Sequence, residues 1–298
     1  MTRATRRAIP VTLCLATVPA AAVADENLFG YVKGAETLPE KALEGYTVIT
    51  NRHGKSEGHY DAWDVLLELE YGMTNSLSLS GAILGRAIDT HGLLIDGYLP
   101  KEEDTGFKFA GVEANAKYNF LSPALDDFGL SGYWSFEYQT LDGHSGQDKE
   151  TLSFLSLLIG QKYFMEGQLV WAGNAGIEAT YAKRAKIDDL PPDFEWPTDP
   201  EMEIELILGT ALTYRFAPNW FFGAEIVYET EYETEVGQER YSFFAGPTLH
   251  YGGPKWWATL TWFPQLSGGG EKFEGQDDDL HLIEKTEYEY RLKLGYNF

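Results

Sequence analysis

The chain is nearly free of cysteine. Its single cysteine, Cys14, lies within the first two dozen residues, directly after Leu13. A leucine at that position is too large for the cleavage site of a lipoprotein. The sequence therefore predicts neither a disulfide framework nor a lipid anchor.

Basic residues are scarce as well. The chain has 23 lysines and arginines against 46 aspartates and glutamates, which gives a formal net charge of −23 at pH 7. Nucleic-acid binding needs basic patches that displace counterions. We therefore expect no nucleic-acid partner.

Long apolar runs are missing except near the start of the chain. Residues 8–22 are mainly apolar and follow three arginines, and the motif Ala22-Val23-Ala24 comes at the end of this stretch. This pattern predicts a secretory signal peptide over residues 1–24, cleaved after Ala24. The remaining chain has 20 basic and 46 acidic residues, a formal charge of −26. No later apolar run approaches the ~18 residues that a transmembrane helix requires.

Apolar and polar side chains alternate where long apolar runs are missing. Within residues 285–298, every second side chain is apolar or aromatic, and the others are mostly charged. The apolar face carries Tyr288, Tyr290, Leu292, Leu294, Tyr296 and Phe298. Such a face indicates one long strand between two solvents, and rings at both ends match a strand that crosses a bilayer. We interpret the terminal Phe298 as an insertion signal, because outer-membrane barrels typically end on an aromatic residue.

Similar segments recur twelve times along the chain. They lie at 43–52, 59–72, 77–88, 107–120, 130–141, 150–164, 168–183, 201–216, 220–233, 240–251, 255–265 and 285–298. Their connections alternate between short turns such as 217–219 and longer polar loops such as 184–200. Short periplasmic turns and long outer loops are typical of outer-membrane barrels. The predicted fold is an all-β, membrane-spanning, antiparallel up-and-down β-barrel that occupies residues 25–298 as one domain.

A secreted β-sandwich is the alternative, but it has no reason to place aromatic residues at both ends of each strand.

Two segments stay unassigned. Residues 150–164 show no clear period, so their register is open. Residues 25–42 form an N-terminal periplasmic segment that lies under the barrel, enters it as a plug or adds a strand.

Three stretches near the start carry a family resemblance. They are Asn27-Leu28-Phe29-Gly30-Tyr31-Val32-Lys33 through Leu38-Pro39, then Arg52-His53-Gly54, and Glu70-Tyr71-Gly72-Met73-Thr74-Asn75. In these stretches the chain resembles an uncharacterised family of outer-membrane barrels from Gram-negative bacteria. The resemblance implies a barrel and the outer membrane, and it implies no substrate and no catalytic residue.

Inward-facing glutamates are the main candidates for a function inside the barrel. If Phe216 lies opposite Trp220 across the turn at 217–219, carboxylates face each other further up the hairpin. The predicted acidic mouth consists of Glu203, Glu205, Glu229, Glu231 and Glu233, with Glu203 opposite Glu233 and Glu205 opposite Glu231. Like charges across a ladder are destabilising, and Arg240 beside Glu233, water or a divalent cation would relieve them. An acidic mouth attracts cations, although hydrated glutamates in a wet lumen are the simpler interpretation.

Inward-facing bases are expected nearer the middle or the other end of the barrel. They are Arg215, Arg291, Lys293 and Lys117. Arg240 is the remaining basic residue that is predicted to face the lumen. Ion pairs between these bases and Glu225, Glu289 or Glu113 would bridge a lumen this narrow and occlude it.

Enzyme chemistry finds little support. Gly143-His144-Ser145-Gly146 places histidine beside serine. In a strand, however, neighbouring side chains point to opposite faces, and the composition of this segment predicts a loop. The three aspartates at 277–279 near His281 read as a solvated loop rather than a metal site. We therefore predict no enzyme, no metal and no cofactor.

The predicted function is a narrow, passive, cation-preferring channel for small solutes. The alternatives are a non-conducting barrel that acts in structure or adhesion through its outer loops and, third, a lipid-modifying enzyme. The predicted partners are the bilayer with its lipopolysaccharide, the outer-membrane insertion machinery, and small cationic solutes or divalent cations.

Overall fold

The computed structural model describes residues 27–95, 99–186, 198–233 and 237–298. The predicted signal peptide lies outside these ranges. Within them, no helix is long and apolar enough to cross a membrane.

Twelve antiparallel strands form a closed barrel. They are β1 (Leu43–His53), β2 (His59–Thr74), β3 (Leu77–His91), β4 (Glu102–Leu121), β5 (Gly129–Leu141), β6 (Asp148–Phe164), β7 (Leu169–Arg184), β8 (Glu201–Ala217), β9 (Trp220–Glu233), β10 (Gly237–Gly252), β11 (Trp256–Gly270) and β12 (Tyr288–Asn297). Each strand pairs with its neighbours in sequence, and β1 pairs with β12. The predicted twelve-stranded up-and-down barrel is therefore confirmed, and closure leaves no unpaired sheet edge.

The connections give the barrel two different ends. The turns 75–76, 122–128, 165–168, 218–219 and 253–255 lie at what we call the short-turn end, where β1 begins and β12 finishes. The segments 54–58, 92–101, 142–147, 185–200, 234–236 and 271–287 connect strands at the opposite, long-loop end. The largest differences from the predicted strand ends lie there: β3 reaches His91, β4 begins at Glu102, β10 begins at Gly237, β11 reaches Gly270, and β12 begins at Tyr288 rather than at residue 285.

The outer face of the wall is apolar. Leu67, Ile83, Leu208 and Leu260 are each about half exposed although they lie in mid-strand. Tryptophans and tyrosines are exposed closer to the strand ends, as at Trp63, Tyr71, Trp220, Trp256 and Tyr290. Apolar residues in the middle with rings towards both ends are the pattern of a wall in contact with lipid.

The register of the β8–β9 hairpin is the predicted one where the glutamates lie. Glu203 pairs with Glu233, and Glu205 pairs with Glu231. All four side chains point inward, because the intervening residues of β8 and β9 are exposed on the outer face.

The turn of this hairpin differs from the prediction. Ala217, not Phe216, lies opposite Trp220, and the register shifts between Arg215 and Ala217. Asn219 in the turn has a φ of 66°, a left-handed conformation that asparagine tolerates better than most residues. The irregularity is confined to the turn, so the ladder above it keeps the expected pairing.

Strand β6 explains why residues 150–164 show no period. Leu157 and Ile159 are buried on the inner face, while Leu158 between them is exposed on the outer face. Both faces are therefore apolar over this stretch. Its ladder with β7 runs from Lys149 to Phe164 with no register shift.

Candidate functional site

Residues 27–38 lie inside the barrel, and we call them the plug. Leu28, Phe29 and Val32 are buried against inward-facing residues of the wall such as Val170 and Val227. Of the three arrangements that the sequence left open for this segment, the structure shows the plug.

Glu225 on β9 holds the plug by its backbone. Its buried carboxylate accepts the N–H groups of Gly30 at 2.7 Å, Tyr31 at 2.8 Å and Val32 at 2.9 Å. The hydroxyl of Thr261 donates to the same carboxylate at 2.8 Å. A Cβ at residue 30 would lie 2.5 Å from the Thr261 hydroxyl oxygen, so glycine is required there. Hydrogen bonds to an ionised acceptor are stronger than neutral ones, which makes Glu225 the main attachment of the plug.

Two side-chain amides continue this attachment. Asn174 accepts the N–H of Lys33 at 2.8 Å and donates to the carbonyl of the same residue at 2.9 Å. Gln161 accepts the N–H of Ala35 at 2.6 Å. Buried backbone groups need such partners, and the wall supplies them where the plug forms no ladder.

Tyr31 lies in the middle of the lumen. Its ring stacks on Phe263 with 4.2 Å between centroids, and the Arg291 guanidinium lies 3.7 Å from the ring centroid. Its hydroxyl donates to Glu289 at 2.7 Å. Stacking and cation–π contact fix the orientation of the ring, so Tyr31 and Arg291 together form a barrier across the barrel.

The predicted basic residues contact the plug. Arg291, Lys293 and Lys117 each donate to a backbone carbonyl of the plug, at 3.3, 3.5 and 2.9 Å. The acceptors are Gly30, Phe29 and Glu36, respectively. Arg215 is exposed at the short-turn end. The lumen is occluded as the sequence suggested, but the occluding element is the plug.

Among the described residues, two large cavities lie in the lumen. One has a volume of about 300 Å³ and is lined by β6 to β12, Lys285 and the plug. The other has a volume of about 310 Å³ and is lined by β1 to β5, β12 and the plug. We call them the apolar-walled cavity and the polar cavity. Tyr31, Lys33 and Arg291 line both, so these side chains separate them.

Lys285 neutralises part of the acidic mouth. Its ammonium group lies 2.6 Å from the Glu229 carboxylate and 3.5 Å from that of Glu205. Burial alone would lower the pKa of Lys285, but the nearby glutamates raise it well above its ordinary value. The lysine is therefore charged and bridges two of the predicted carboxylates.

Arg240 lies in a different place from the predicted one. Gly237, not Arg240, lies opposite Glu233, and a register shift between Gln238 and Arg240 places Arg240 opposite Glu231. Its guanidinium forms ion pairs with Glu231 at 3.6 Å and with Glu284 of the loop that follows β11. The expectation that Arg240 relieves Glu233 was therefore wrong, because β10 begins at Gly237, three residues before its predicted start.

Glu203 and Glu233 are the remaining predicted mouth residues. They face each other across the β8–β9 ladder. Neither forms an ion pair with any residue in the ranges that the structure describes. These two are thus the mouth glutamates that form no ion pair in the described ranges.

The loop 271–287 folds over the long-loop end. The buried ammonium group of Lys55 donates to the carbonyls of Leu282 and Ile283 at 2.8 Å and of Lys285 at 2.7 Å. Burial lowers the pKa of Lys55 well below its ordinary value. The side chains of Leu282 and Ile283 are buried as well, so this loop narrows the mouth.

A second loop adds an apolar cluster at the same end. Leu93, Ile95 and Leu99 pack against Tyr60 of β2 and Ile88 of β3. Apolar packing of this kind excludes water, so the long-loop end is narrowed by side chains from two loops.

The His144–Ser145 pair is not arranged for nucleophilic catalysis. The Ser145 hydroxyl donates to Asp142 at 2.9 Å, whereas Nδ1 of His144 lies 3.2 Å from the Arg52 guanidinium. A hydrolase would need serine and histidine hydrogen-bonded to each other. Burial lowers the pKa of His144 well below its ordinary value. In the described ranges no group of three or more histidine, cysteine or acidic side chains is arranged to hold a metal ion.

Sequence reasoning missed the roles of Glu225, Tyr31 and Lys285. A usable signal was present on the inner face of the wall, which should be polar in a water-filled barrel. Phe244 and Phe263 interrupt that face, and inward aromatic residues indicate an apolar partner inside the lumen.

Solved structures with the same fold support the architecture. The COG4313 outer membrane channel from Pseudomonas putida F1 is 12% identical, with a TM-score of 0.56 over 89% of this chain and 98% of that chain. The β domain of the Bordetella autotransporter BrkA is 14% identical, with a TM-score of 0.52 over 87% of this chain and 100% of that chain. The translocator domain of NalP from Neisseria meningitidis is 10% identical, with a TM-score of 0.51 over 88% and 90%. At such identities the similarity shows the fold alone.

Comparison with curated proteins gives no significant match. A family model matches residues 21–298, nearly the whole chain. The resemblance noted from the sequence is thereby confirmed, and the chain belongs to DUF6662, a family of unknown function.

Proposed function

We propose that the protein is an outer-membrane channel for small solutes and that the described structure is its closed state. The location is supported by the apolar outer face with rings towards both strand ends. The long loops would face outward and the short turns would face the periplasm.

The observation that carries the channel proposal is the division of the lumen by the plug. Cavities of about 300 and 310 Å³ lie on the two sides of Tyr31, Lys33 and Arg291. Tyr31 and Lys33 belong to the plug and not to the hydrogen-bonded wall. Because the wall is closed by its own ladder, the plug can move without opening the barrel. The two cavities lie against opposite halves of the wall, so displacement of the plug would merge them into one wider lumen.

The cation preference predicted from the sequence has less support than the channel itself. Lys285 and Arg240 pair with three of the five mouth glutamates. The polar cavity is lined by four carboxylates, Asp64, Glu68, Glu113 and Glu137, and by four basic residues, Lys33, Arg86, Arg291 and Lys293. Such a balance produces no strong field of either sign. We therefore propose a channel with a weak cation preference, to which Glu203 and Glu233 contribute most because they form no ion pair in the described ranges.

Single-channel recording in a planar bilayer tests the proposal. We expect rare openings for the wild type and more frequent openings for Glu225→Gln, because glutamine accepts the three plug N–H groups less well. Glu178→Gln changes an inward glutamate that does not contact the plug and serves as the control. Silence of all three proteins, with intact barrels on heat-modifiability gels, would contradict the channel.

A non-conducting barrel is the second candidate. Closure of both ends favours it: the plug fills the short-turn side, while Leu282, Ile283 and the apolar cluster around Leu93 cover the long-loop side. This candidate predicts that plug variants remain silent in the bilayer. The same recordings therefore discriminate between the two functions.

A further inference from the structure

The apolar-walled cavity has an unusual lining for the interior of a barrel. Six of its wall residues are apolar and point inward: Leu155, Leu157, Ile207, Val227, Phe244 and Phe263. Inward positions of a water-filled barrel are normally polar. Water gains few hydrogen bonds from such a wall, so the lining fits an apolar occupant better than a solvated ion.

The plug does not account for the whole of this wall. Leu28, Phe29 and Val32 cover part of the apolar surface on Val227, Phe244 and neighbouring residues. A space of about 300 Å³ nevertheless remains between Ile207, Val227, Phe244 and the residues opposite them. The wall therefore extends beyond what the plug requires.

The cavity has the dimensions of a small-molecule site. An apolar cavity of about 150 Å³ binds one benzene ring, and this cavity is about twice that size. Small-molecule sites are typically apolar enclosures with a few polar groups that orient the ligand. A ring with a short aliphatic chain would fill the space.

The charged groups at the edge of the cavity indicate the head group of its occupant. Lys33 and Arg291 line it, and neither forms an ion pair within the part of the chain that the structure describes. The Lys33 ammonium lies 4.3 Å from the centre of the Tyr133 ring, and Arg291 lies against the ring of Tyr31.

The other charges of the cavity are already engaged. Lys285 is paired with Glu229 at 2.6 Å, and Glu289 accepts the Tyr31 hydroxyl at 2.7 Å. The lining therefore holds three basic groups against two carboxylates, a formal surplus of one positive charge. Lys33 and Arg291 lie at the boundary between the two cavities, and an ammonium and a guanidinium that line the same cavity are well suited to bind a carboxylate.

We infer that the apolar-walled cavity binds a small amphipathic carboxylate, with its ring or short chain against Ile207, Val227 and Phe244 and its anionic group at Lys33 and Arg291. As an identification of the transported solute, the inference rests on the proposed channel function. As a binding site, it stands independently of conduction.

Fluorine NMR with para-fluorophenylbutyrate tests the site directly. The full mature chain is refolded into phosphatidylcholine nanodiscs, and empty nanodiscs report partition into lipid. We expect saturable line broadening beyond that of empty nanodiscs. The neutral amide and the cationic amine of the same skeleton should bind at least about tenfold more weakly, a difference that one charge-assisted contact can supply.

Three variants locate the binding. Ile207→Trp fills the apolar-walled cavity and should abolish saturable binding, while Leu66→Trp fills the polar cavity and should leave binding unchanged. Lys33→Gln removes one head-group partner and should weaken carboxylate binding without affecting the amide. Heat-modifiability gels verify that each barrel is folded, and Val227→Phe replaces Ile207→Trp if that variant does not fold.

Equal binding by wild type and Ile207→Trp, equal binding of carboxylate and amine, or broadening no greater than in empty nanodiscs would each overturn the inference. Binding in a protein that never conducts would support the site and contradict the channel. Conduction without binding would have the opposite meaning, so the two proposals fail separately.

Discussion

The Glu225 carboxylate and the backbone N–H of Tyr31, 194 residues earlier in the chain, form a hydrogen bond of 2.8 Å. It joins β9 to a segment that is not part of the ladder. The same carboxylate accepts the N–H groups on either side of Tyr31, so one side chain of the wall holds three successive backbone groups of the plug.

Replacement of Glu225 should therefore release the plug. Bonds to a charged partner contribute about 1.5–3 kcal/mol each, and a loss of about 1.4 kcal/mol changes an opening equilibrium tenfold. Ala35 is fully buried, so Ala35→Cys reports opening through its rate of labelling by maleimide. We expect labelling at least about tenfold faster with Glu225→Gln and no change with Glu178→Gln. Equal rates in both variants would show that Glu225 does not hold the plug.

The stability of the barrel should depend on which charges of the acidic mouth are removed. Glu205→Gln with Glu229→Gln removes both ion-pair partners of half-buried Lys285, and an unpaired charge there costs at most roughly 3 kcal/mol. Glu203→Gln with Glu233→Gln removes two facing carboxylates that form no ion pair in the described ranges. This second pair of changes should be neutral or stabilising by up to about 1 kcal/mol. Urea unfolding followed on gels compares the two double variants.

A stability loss for both double variants would mean that Glu203 and Glu233 have stabilising partners. No loss for either would mean that Lys285 is solvated. Only an unequal response agrees with the observed pairing.

Acid should loosen the loop 271–287. Burial lowers the pKa of His281 to about 3, and its Nε2 accepts the N–H of Glu284 at 3.3 Å. Because the folded pKa lies below the ordinary value of 6.5, this stability is complete above pH 6.5 and is lost as the pH falls towards 3. The charges that surround His281 are those of Lys285, Glu284, Arg240 and Lys55.

Glu284 acts in the same direction. Burial would raise its pKa, but Arg240 and Lys149 hold it below the ordinary value of 4.5, so its contribution is lost at still lower pH. Hydrogen exchange of residues 271–287, corrected for the intrinsic rate, should show protection falling by about 1 kcal/mol per pH unit below pH 6.5. His281→Gln should remove this dependence down to about pH 4.5. Protection that stays constant from pH 7 to 5 in the wild type would contradict a folded-state pKa of His281 below its ordinary value.

The wall could be predicted from the sequence because each strand separates two solvents. The alternation of Met202, Ile204 and Leu206 with three glutamates determined which residues face outward. The turn at 217–219 then gave the pairing of Glu203 with Glu233, even though the turn itself holds an unpredicted bulge.

The contents of the lumen could not be predicted in this way. The plug has no strand period, because its backbone is satisfied by side chains such as Glu225 and Asn174. Leu155 and Leu157 removed the alternation of β6 because they line a cavity rather than water. The role of Lys285 depends on the path of a long loop, which no local pattern specifies.

Deletion of Phe298 should impair assembly more than stability. Its side chain is 74% exposed, and its backbone N–H donates to the Leu43 carbonyl at 3.1 Å. One such hydrogen bond contributes about 1 kcal/mol, too little for its loss to open a closed barrel. A chain that ends at Asn297 should therefore be secreted normally but inserted at a lower level, measured in isolated outer membranes. Asn297→Ser should have little effect, and normal membrane levels of the truncated chain would rule out the insertion signal.

Movement of the plug is the central claim, and a reversible cross-link tests it most directly. A Cβ at Gly209 would lie 3.2 Å from Cγ2 of Val32, close to where the sulfur of a cysteine at position 32 would lie, so cysteines at the two positions are within reach of a disulfide. The chain after residue 24 contains no cysteine of its own. Single-channel recording of Val32→Cys with Gly209→Cys should show no openings when oxidised and wild-type openings after dithiothreitol. The same openings in both redox states would contradict a plug that must move for solutes to pass.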